Sequence, residues 1–234
     1  MPTPARPLRT YIDHTLLRPE ATTEEIRRVV EEAAVHGFAA VVIPPAHVPL
    51  AAAILAGTAV RIGTVAAFPL GYAQPAVRRE ESRRAVADGA VEIDTVINLS
   101  WLKSGENARV MDDLAAWVAA LRAESNGLVL KVILETALLS DEEKVRGTEL
   151  VAASGADFVK TSTGFGPGGA TVGDVRLLAA TAAAVSGTGR LAVKAAGGIR
   201  DAATALAMIE AGATRLGTSS GVAILRSLGS AGIR

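Results

Sequence analysis

The feature that most constrains this chain is an alternation running through almost its whole length: short apolar runs of strand length, each followed by a longer stretch with helical periodicity. The strand candidates are Tyr11–Thr15, Ala39–Ile43, Arg61–Ala66, Val91–Ile97, Leu128–Leu134, Phe158–Ser162, Leu191–Ala195 and Arg215–Thr218. Between them, Glu24–Ala34, Ala76–Asp88, Arg109–Glu124, Asp141–Ala153, Gly173–Ala184 and Ala202–Ala211 carry charges on one helical face and Ala, Val or Leu on the other. Eight strands alternating with helices, without a composition break, predict a parallel β/α architecture. A TIM (β/α)8 barrel in a single domain of class α/β fits the count and the 234-residue length better than an open doubly wound sheet. Strand order itself is not written in the sequence. The Pro-rich residues 1–8 are expected to form a loosely ordered extension, and 9–234 the barrel.

Local signals agree with this division. Thr22 with Glu25, and Ser140 with Glu143, have the spacing of capping boxes at helix starts. His36-Gly37, Gly89-Ala90, Gly155-Ala156 and Gly212-Ala213 put a glycine just past a helix end, where a tight turn needs left-handed backbone. Half of the residues are hydrophobic but only 3% are aromatic, so the core must be built from Ala, Val, Leu and Ile.

The bulk numbers also exclude classes. Zero formal net charge removes the electrostatic footprint of a nucleic-acid binder, and no basic amphipathic stretch suggests a membrane surface. Cysteine is absent, which rules out disulfides, thiol nucleophiles and cysteine metal sites. No window approaches the roughly 18 apolar residues of a spanning helix, and MPTPARPLRT lacks the apolar core of a secretory signal. The expectation is a soluble, cytoplasmic protein. His14, His36 and His47 are scattered without metal-ligand spacing, so no metal is expected.

The lysines carry the chemical clue. Arginine outnumbers lysine nineteen to five, yet Lys131, Lys160 and Lys194 all fall inside apolar strand candidates. A buried cation is costly unless paired or neutralised. Arginine stays protonated, whereas a desolvated lysine can shed its proton and act as a nucleophile. Strand alternation puts Lys160 on a face with Phe158 and Ser162, Lys194 with Ala192 and Ala196, Lys131 with Val129 and Ile133, and Asp94 with Glu92 and Val96. If these faces point into the barrel, Asp94 and three lysines surround one interior, with Ala192 and Ala196 leaving room for a substrate. A cationic neighbour and burial then bring one amine from near 10.4 towards roughly 7–8. The competing account is structural: the lysines snorkel from strand ends or pair with Glu92 and Glu135.

Three strand ends run into small residues: Lys160-Thr161-Ser162-Thr163-Gly164, Lys194-Ala195-Ala196-Gly197-Gly198 and Gly217-Thr218-Ser219-Ser220-Gly221. Such loops let backbone N–H groups approach an anion, and in these barrels phosphate commonly sits after strands seven and eight. A phosphorylated substrate is expected.

At this point the sequence resembles the deoxyribose-phosphate aldolase family. The likeness is carried by Ile12-Asp13-His14-Thr15-Leu16-Leu17, Phe68-Pro69-Leu70-Gly71, Glu92-Ile93-Asp94, Lys131 to Thr136, Ala156 to Gly164, Val193 to Arg200, and Gly217-Thr218-Ser219-Ser220. The resemblance implies a class I (Schiff-base) aldolase without cofactor. It would reversibly cleave 2-deoxy-D-ribose 5-phosphate to D-glyceraldehyde 3-phosphate and acetaldehyde, in deoxyribonucleoside breakdown. It implies that Lys160 forms the imine, Lys194 depresses the pKa of Lys160, and Asp94 moves protons, directly or through water. Asp13, Thr15, Lys131, Thr163 and Gly164 would line the substrate site, and Gly197, Gly198, Gly217, Ser219 and Ser220 would hold the phosphate. A homodimer or tetramer is implied as well.

One departure stands out. Some members of the family end in a tyrosine that assists proton transfer, whereas this sequence ends Ser-Leu-Gly-Ser-Ala-Gly-Ile-Arg and has only Tyr11 and Tyr72. Proton transfer at the acetaldehyde carbon is expected to be handled otherwise or more slowly. Trp101 and Trp117 read as packing residues, and Arg78-Arg79 with Arg83-Arg84 as a solvated helix face or subunit contact. Two rivals stay open: another phosphosugar barrel enzyme, and a non-catalytic sugar-phosphate-binding barrel.

Overall fold

Each apolar run folds into a strand, and the eight strands close on themselves. The structure, a computed structural model, describes residues 4–185 and 191–230. In chain order these form β1 (Ile12–Thr15), α1 (Thr23–His36), β2 (Ala40–Val42), α2 (Val48–Ile54), β3 (Arg61–Ala66), α3 (Pro75–Ala87), β4 (Glu92–Val96), α4 (Leu99–Lys103) and α5 (Asn107–Glu124). They continue with β5 (Val129–Ile133), α6 (Asp141–Ala153), β6 (Phe158–Lys160), α7 (Val172–Ala184), β7 (Ala192–Ala196), α8 (Ala202–Glu210), β8 (Arg215–Thr218) and α9 (Gly221–Ser230). All neighbouring strands are parallel, and β8 returns to β1 with Ile12 opposite Leu216 and Asp13 opposite Gly217. The chain is a closed (β/α)8 barrel.

The local signals act as read. Thr22 and Ser140 form capping boxes with Glu25 and Glu143. Gly37 closes α1 at φ 61°, and Gly89, Gly155 and Gly212 all have positive φ after their helices. Three helices were not visible in the periodicity. The Val48–Ile54 segment of α2 is apolar all round, α4 has five residues, and α9 starts in a glycine–serine loop.

Arg78 corrects an expectation. It is buried rather than solvated, because α3 packs on α5 along a stripe made of Arg78, Ser82 and Ala85. Arg78 Nη2 donates to Asp113 Oδ2 at 2.5 Å, and the Trp117 indole N–H donates to Ser82 Oγ at 2.9 Å. A stripe this polar reads as a surface when only hydrophobicity is tracked. At the N-terminus, Arg6 donates to the Thr214 carbonyl at 2.7 Å and Leu8 is buried, while residues 1–3 of the expected extension lie outside the described residues.

Strand alternation sorts the barrel into two environments. Outward residues such as Ile12, Val41, Ile62, Ile93, Val132, Val159, Val193 and Leu216 pack with the helices into one apolar core. Inward residues stay outside that core, and several of them are charged: Asp13, Glu92, Asp94, Lys131, Lys160, Lys194 and Arg215 are all buried. The apolar layer therefore stabilises the fold from outside, leaving the interior free for chemistry.

Candidate active site

Parallel register brings the interior charges together. Asp94 lies opposite Lys131, Lys160 opposite Lys194, and Lys194 opposite Arg215. The side chains meet around three carboxylates, Asp13, Glu92 and Asp94. Lys131 Nζ donates to Glu92 Oε2 at 2.7 Å and to Asp94 Oδ1 at 2.8 Å. Lys160 Nζ and Lys194 Nζ share the other oxygen, Asp94 Oδ2, at 2.8 and 2.9 Å. Lys194 Nζ also lies 2.5 Å from Asp13 Oδ2, and Arg215 bridges Asp13 and Glu92. Gly217 lies close against this packing: a Cβ there would sit 3.0 Å from Ala196 Cβ and 3.1 Å from Cε of Lys194.

Position in this network makes the three lysines unlike. Lys131 faces two carboxylates at contact, and despite burial its pKa is raised above the ordinary lysine value by Asp94, Glu92 and Asp13. Burial likewise works against the charged form of Asp94, but Lys131, Lys160 and Lys194 override it and hold that carboxyl well below its usual range. Asp13 is lowered in the same way by Arg215, Lys194 and Lys131. Lys160 goes the other way from Lys131: burial first, then its cationic neighbours Lys194 and Lys131, overcome Asp94 and bring it down from 10.5 to about 8. Neighbour repulsion is thus the smaller part, and desolvation leads.

Cations outnumber carboxylates in this layer. Asp13, Glu92 and Asp94 meet the buried Lys131, Lys160, Lys194 and Arg215, and the half-exposed Arg61 adds another cation, its Nε donating to Glu92 Oε1 at 2.7 Å. This excess of positive charge favours loss of a proton from a lysine.

Lys160 also has access to the outside. It lines a cavity of about 320 Å³ at the C-terminal ends of the strands, together with Thr15, Thr163, Gly164, Gly197, Gly198, Gly217 and Ser219. Gly197 and Gly198, at φ 88° and 80°, turn the chain after β7 in a conformation that side chains avoid. Leu16, Leu17, Phe165 and Ile199 form apolar wall, and Arg18 and Arg200 add two guanidinium groups.

Several expected site residues sit elsewhere. Asp13, Lys131, Lys194 and Asp94 do not line the cavity; they form the charged layer around and beneath Lys160. Ser220 belongs to an adjoining groove with His14 and Glu32, and its N–H is already given to Thr218 Oγ1 at 2.9 Å. Ala192 opens on a cavity at the opposite end of the barrel, whereas Ala196 does line the site. Glu135 pairs with no lysine; it accepts from Thr163. Tyr11 lies against the opposite cavity and Tyr72 is exposed, while residues 231–234 of the tail lie outside the described residues.

The sequence reading missed Arg18, Arg200 and Arg215. Arg215 had a usable signal, because it shares its strand face with Gly217. Arg18 and Arg200 lie in loops, where alternation gives no direction. Among the described residues, no group of three or more His, Asp or Glu side chains is placed to hold a metal ion, and no helix is long and apolar enough to cross a membrane.

Comparison with known proteins places this geometry in context. Residues 8–228 match the DeoC/LacD family aldolase model. A deoxyribose-phosphate aldolase from Carboxydothermus hydrogenoformans is 48% identical over 217 residues, covering 93% of each chain. One from Caldanaerobacter subterraneus is 51% identical over 214 residues, covering 92% of this chain and 90% of the relative. Among solved structures, the tetrameric deoxyribose phosphate aldolase from Aeropyrum pernix superposes with a TM-score of 0.87 at 36% identity, covering 96% of this chain and 92% of that one.

Proposed function

This chain belongs to the DeoC/LacD family of aldolases, and on that footing we propose that it reversibly cleaves 2-deoxy-D-ribose 5-phosphate to D-glyceraldehyde 3-phosphate and acetaldehyde through an imine on Lys160. The observation that carries the reading is the single interior lysine that is both open to the cavity and lowered to about 8.

The steps follow from that amine. Neutral Lys160 Nζ adds to the C1 aldehyde of the open-chain sugar, and loss of water from the carbinolamine leaves a protonated imine. Asp94, directly or through a water, takes the proton of the C3 hydroxyl as the C2–C3 bond breaks, and the bond's electron pair flows into the imine to form an enamine. Glyceraldehyde 3-phosphate departs. The enamine takes a proton at C2, and hydrolysis of the resulting imine releases acetaldehyde and Lys160. Lys194 and Asp94 supply and receive protons around Nζ: Asp94 Oδ2 touches both amines, so a proton can pass between them without leaving the network. Among the described residues no tyrosine lines this cavity, and the proton source we assign to C2 is a water held by the network.

The phosphate falls to Gly197, Gly198, Gly217 and Ser219 with the positive ends of nearby backbone dipoles, aided by Arg18 and Arg200. Thr15, Thr163 and Gly164 line the sugar, while Asp13 and Lys131 fix the network. We further propose assembly as a homodimer or tetramer and a cytoplasmic site of action. The reaction is tested by incubating the protein with 2-deoxyribose 5-phosphate and following both aldehydes. Lys160→Arg should retain the fold and abolish turnover; substantial residual cleavage would place the nucleophile elsewhere.

A further inference from the structure

Glu135 is a buried carboxyl that the reaction above does not use. It sits just after β5 at φ 55°, a left-handed conformation costly for a residue with a side chain. Its backbone is held on both sides: Leu134 N donates to the Lys160 carbonyl and Thr136 N to the Thr161 carbonyl, each at 2.9 Å. Its carboxyl reaches the next loop, where Oε2 accepts the Thr163 hydroxyl and, at 3.3 Å, the Thr163 N–H. Oε1 is buried without a partner. Gly166 packs against the same group, and a Cβ there would lie 2.6 Å from Cδ of Glu135.

This arrangement decides what the Thr163 hydroxyl can offer. A hydroxyl has one hydrogen and two acceptor lone pairs. Glu135 takes the hydrogen, and Phe165 N–H, at 3.0 Å, takes one lone pair. Turning the hydrogen towards a ligand would leave the carboxyl with a single long backbone bond, its other oxygen being already unsatisfied. One lone pair remains, on a residue that lines the cavity three positions after Lys160.

The substrate group facing Thr163 must therefore donate a hydrogen and keep it. The C3 hydroxyl loses its proton during cleavage and needs a base, which a neutral hydroxyl is not. The C4 hydroxyl keeps its hydrogen throughout and lies between the imine carbon and the phosphate. We propose that Glu135 is a positioning residue that locks the Thr163 hydroxyl as an acceptor for the C4 hydroxyl, and thereby sets the preference for a hydroxylated aldehyde product. This rests on the aldolase reading.

The test compares cleavage of 2-deoxyribose 5-phosphate with that of its 2,4-dideoxy analogue, which lacks only that hydroxyl. Glu135→Met removes the acceptor at similar length and should narrow the kcat/KM preference by about tenfold, through the natural substrate alone. Glu135→Gln, with its carbonyl in place of Oε2, should restore most of the preference. Thr163→Val should narrow it as Glu135→Met does, and combining the two should add nothing. If Glu135→Met fails to fold, Gly166→Ala, which displaces the carboxyl, should give the same narrowing. Equal loss on both substrates, an unchanged preference, or additive effects with Thr163→Val would overturn the proposal. Absence of cleavage by the unaltered protein would instead overturn the aldolase reading beneath it.

Discussion

At the scale of single residues, three lysines on neighbouring strands have three different fates. Lys131 faces Glu92 and Asp94 and becomes a fixed cation; Lys194 is held between Asp13 and Asp94; Lys160 shares its one carboxylate oxygen with Lys194. Burial leads in lowering Lys160, and it prevails there because this amine faces a single shared carboxylate oxygen. Imine formation should rise as Lys160 loses its proton through about pH 8 and level off above it. In Lys194→Met the repelling charge is gone and Asp94 turns more fully to Lys160. Both changes favour the protonated amine, so the midpoint should move above 8 while staying below that of a free lysine, because burial remains. We expect kcat to fall by about 10²-fold. A pH–rate profile checks this, and an unshifted midpoint would remove Lys194 from the control of Lys160.

At the scale of elements, strands and helices were legible where one periodicity dominated, and the failures have physical causes. Period-two alternation put Asp94, Lys131, Lys160 and Lys194 each on a defined face of its strand, and the closed barrel turns those faces inward, a choice that alternation alone does not make. Glu135 and Arg18 could not be placed in that way, because loop geometry depends on contacts that sequence spacing does not encode. Arg78 failed for another reason: the face by which α3 meets α5 is polar, and its pairing with Asp113 is a tertiary choice. Asp113→Ala leaves Arg78 buried without its partner, and should cost about 3–5 kcal/mol in urea unfolding. Arg78→Met combined with Asp113→Leu should recover most of that loss. If Asp113→Ala proves near neutral, the pair contributes little to holding α3 on α5.

At the scale of the whole molecule, the apolar core surrounds the barrel while the charges fill it, so stability and activity draw on different layers. The charged layer opposes itself at one point. Asp13 and Asp94 are depressed below 3.8, which contributes stability above that value and loses it as pH falls through their folded values. Lys131 is raised above 10.5, contributing stability below 10.5 that is lost only as pH rises through its folded value. Lys160, a depressed cation, has the opposite sign: the folded state resists its proton, a cost fully present below about 8 and gone above about 10.5. Lys160→Met should therefore gain stability relative to the unaltered protein at pH 6 over pH 11, by at most about 3 kcal/mol in this pH-dependent part. Denaturant unfolding at both pH values measures it; a pH-independent difference would show that folding leaves the Lys160 pKa unchanged, and a difference of the opposite sign that Lys160 is an ordinary ion pair. The most direct measurement of the central claim is covalent. Borohydride added with 2-deoxyribose 5-phosphate or acetaldehyde, followed by peptide mass mapping, should fix the adduct on Lys160 and on neither Lys131 nor Lys194. An adduct on another lysine, or active protein that forms none, would contradict it.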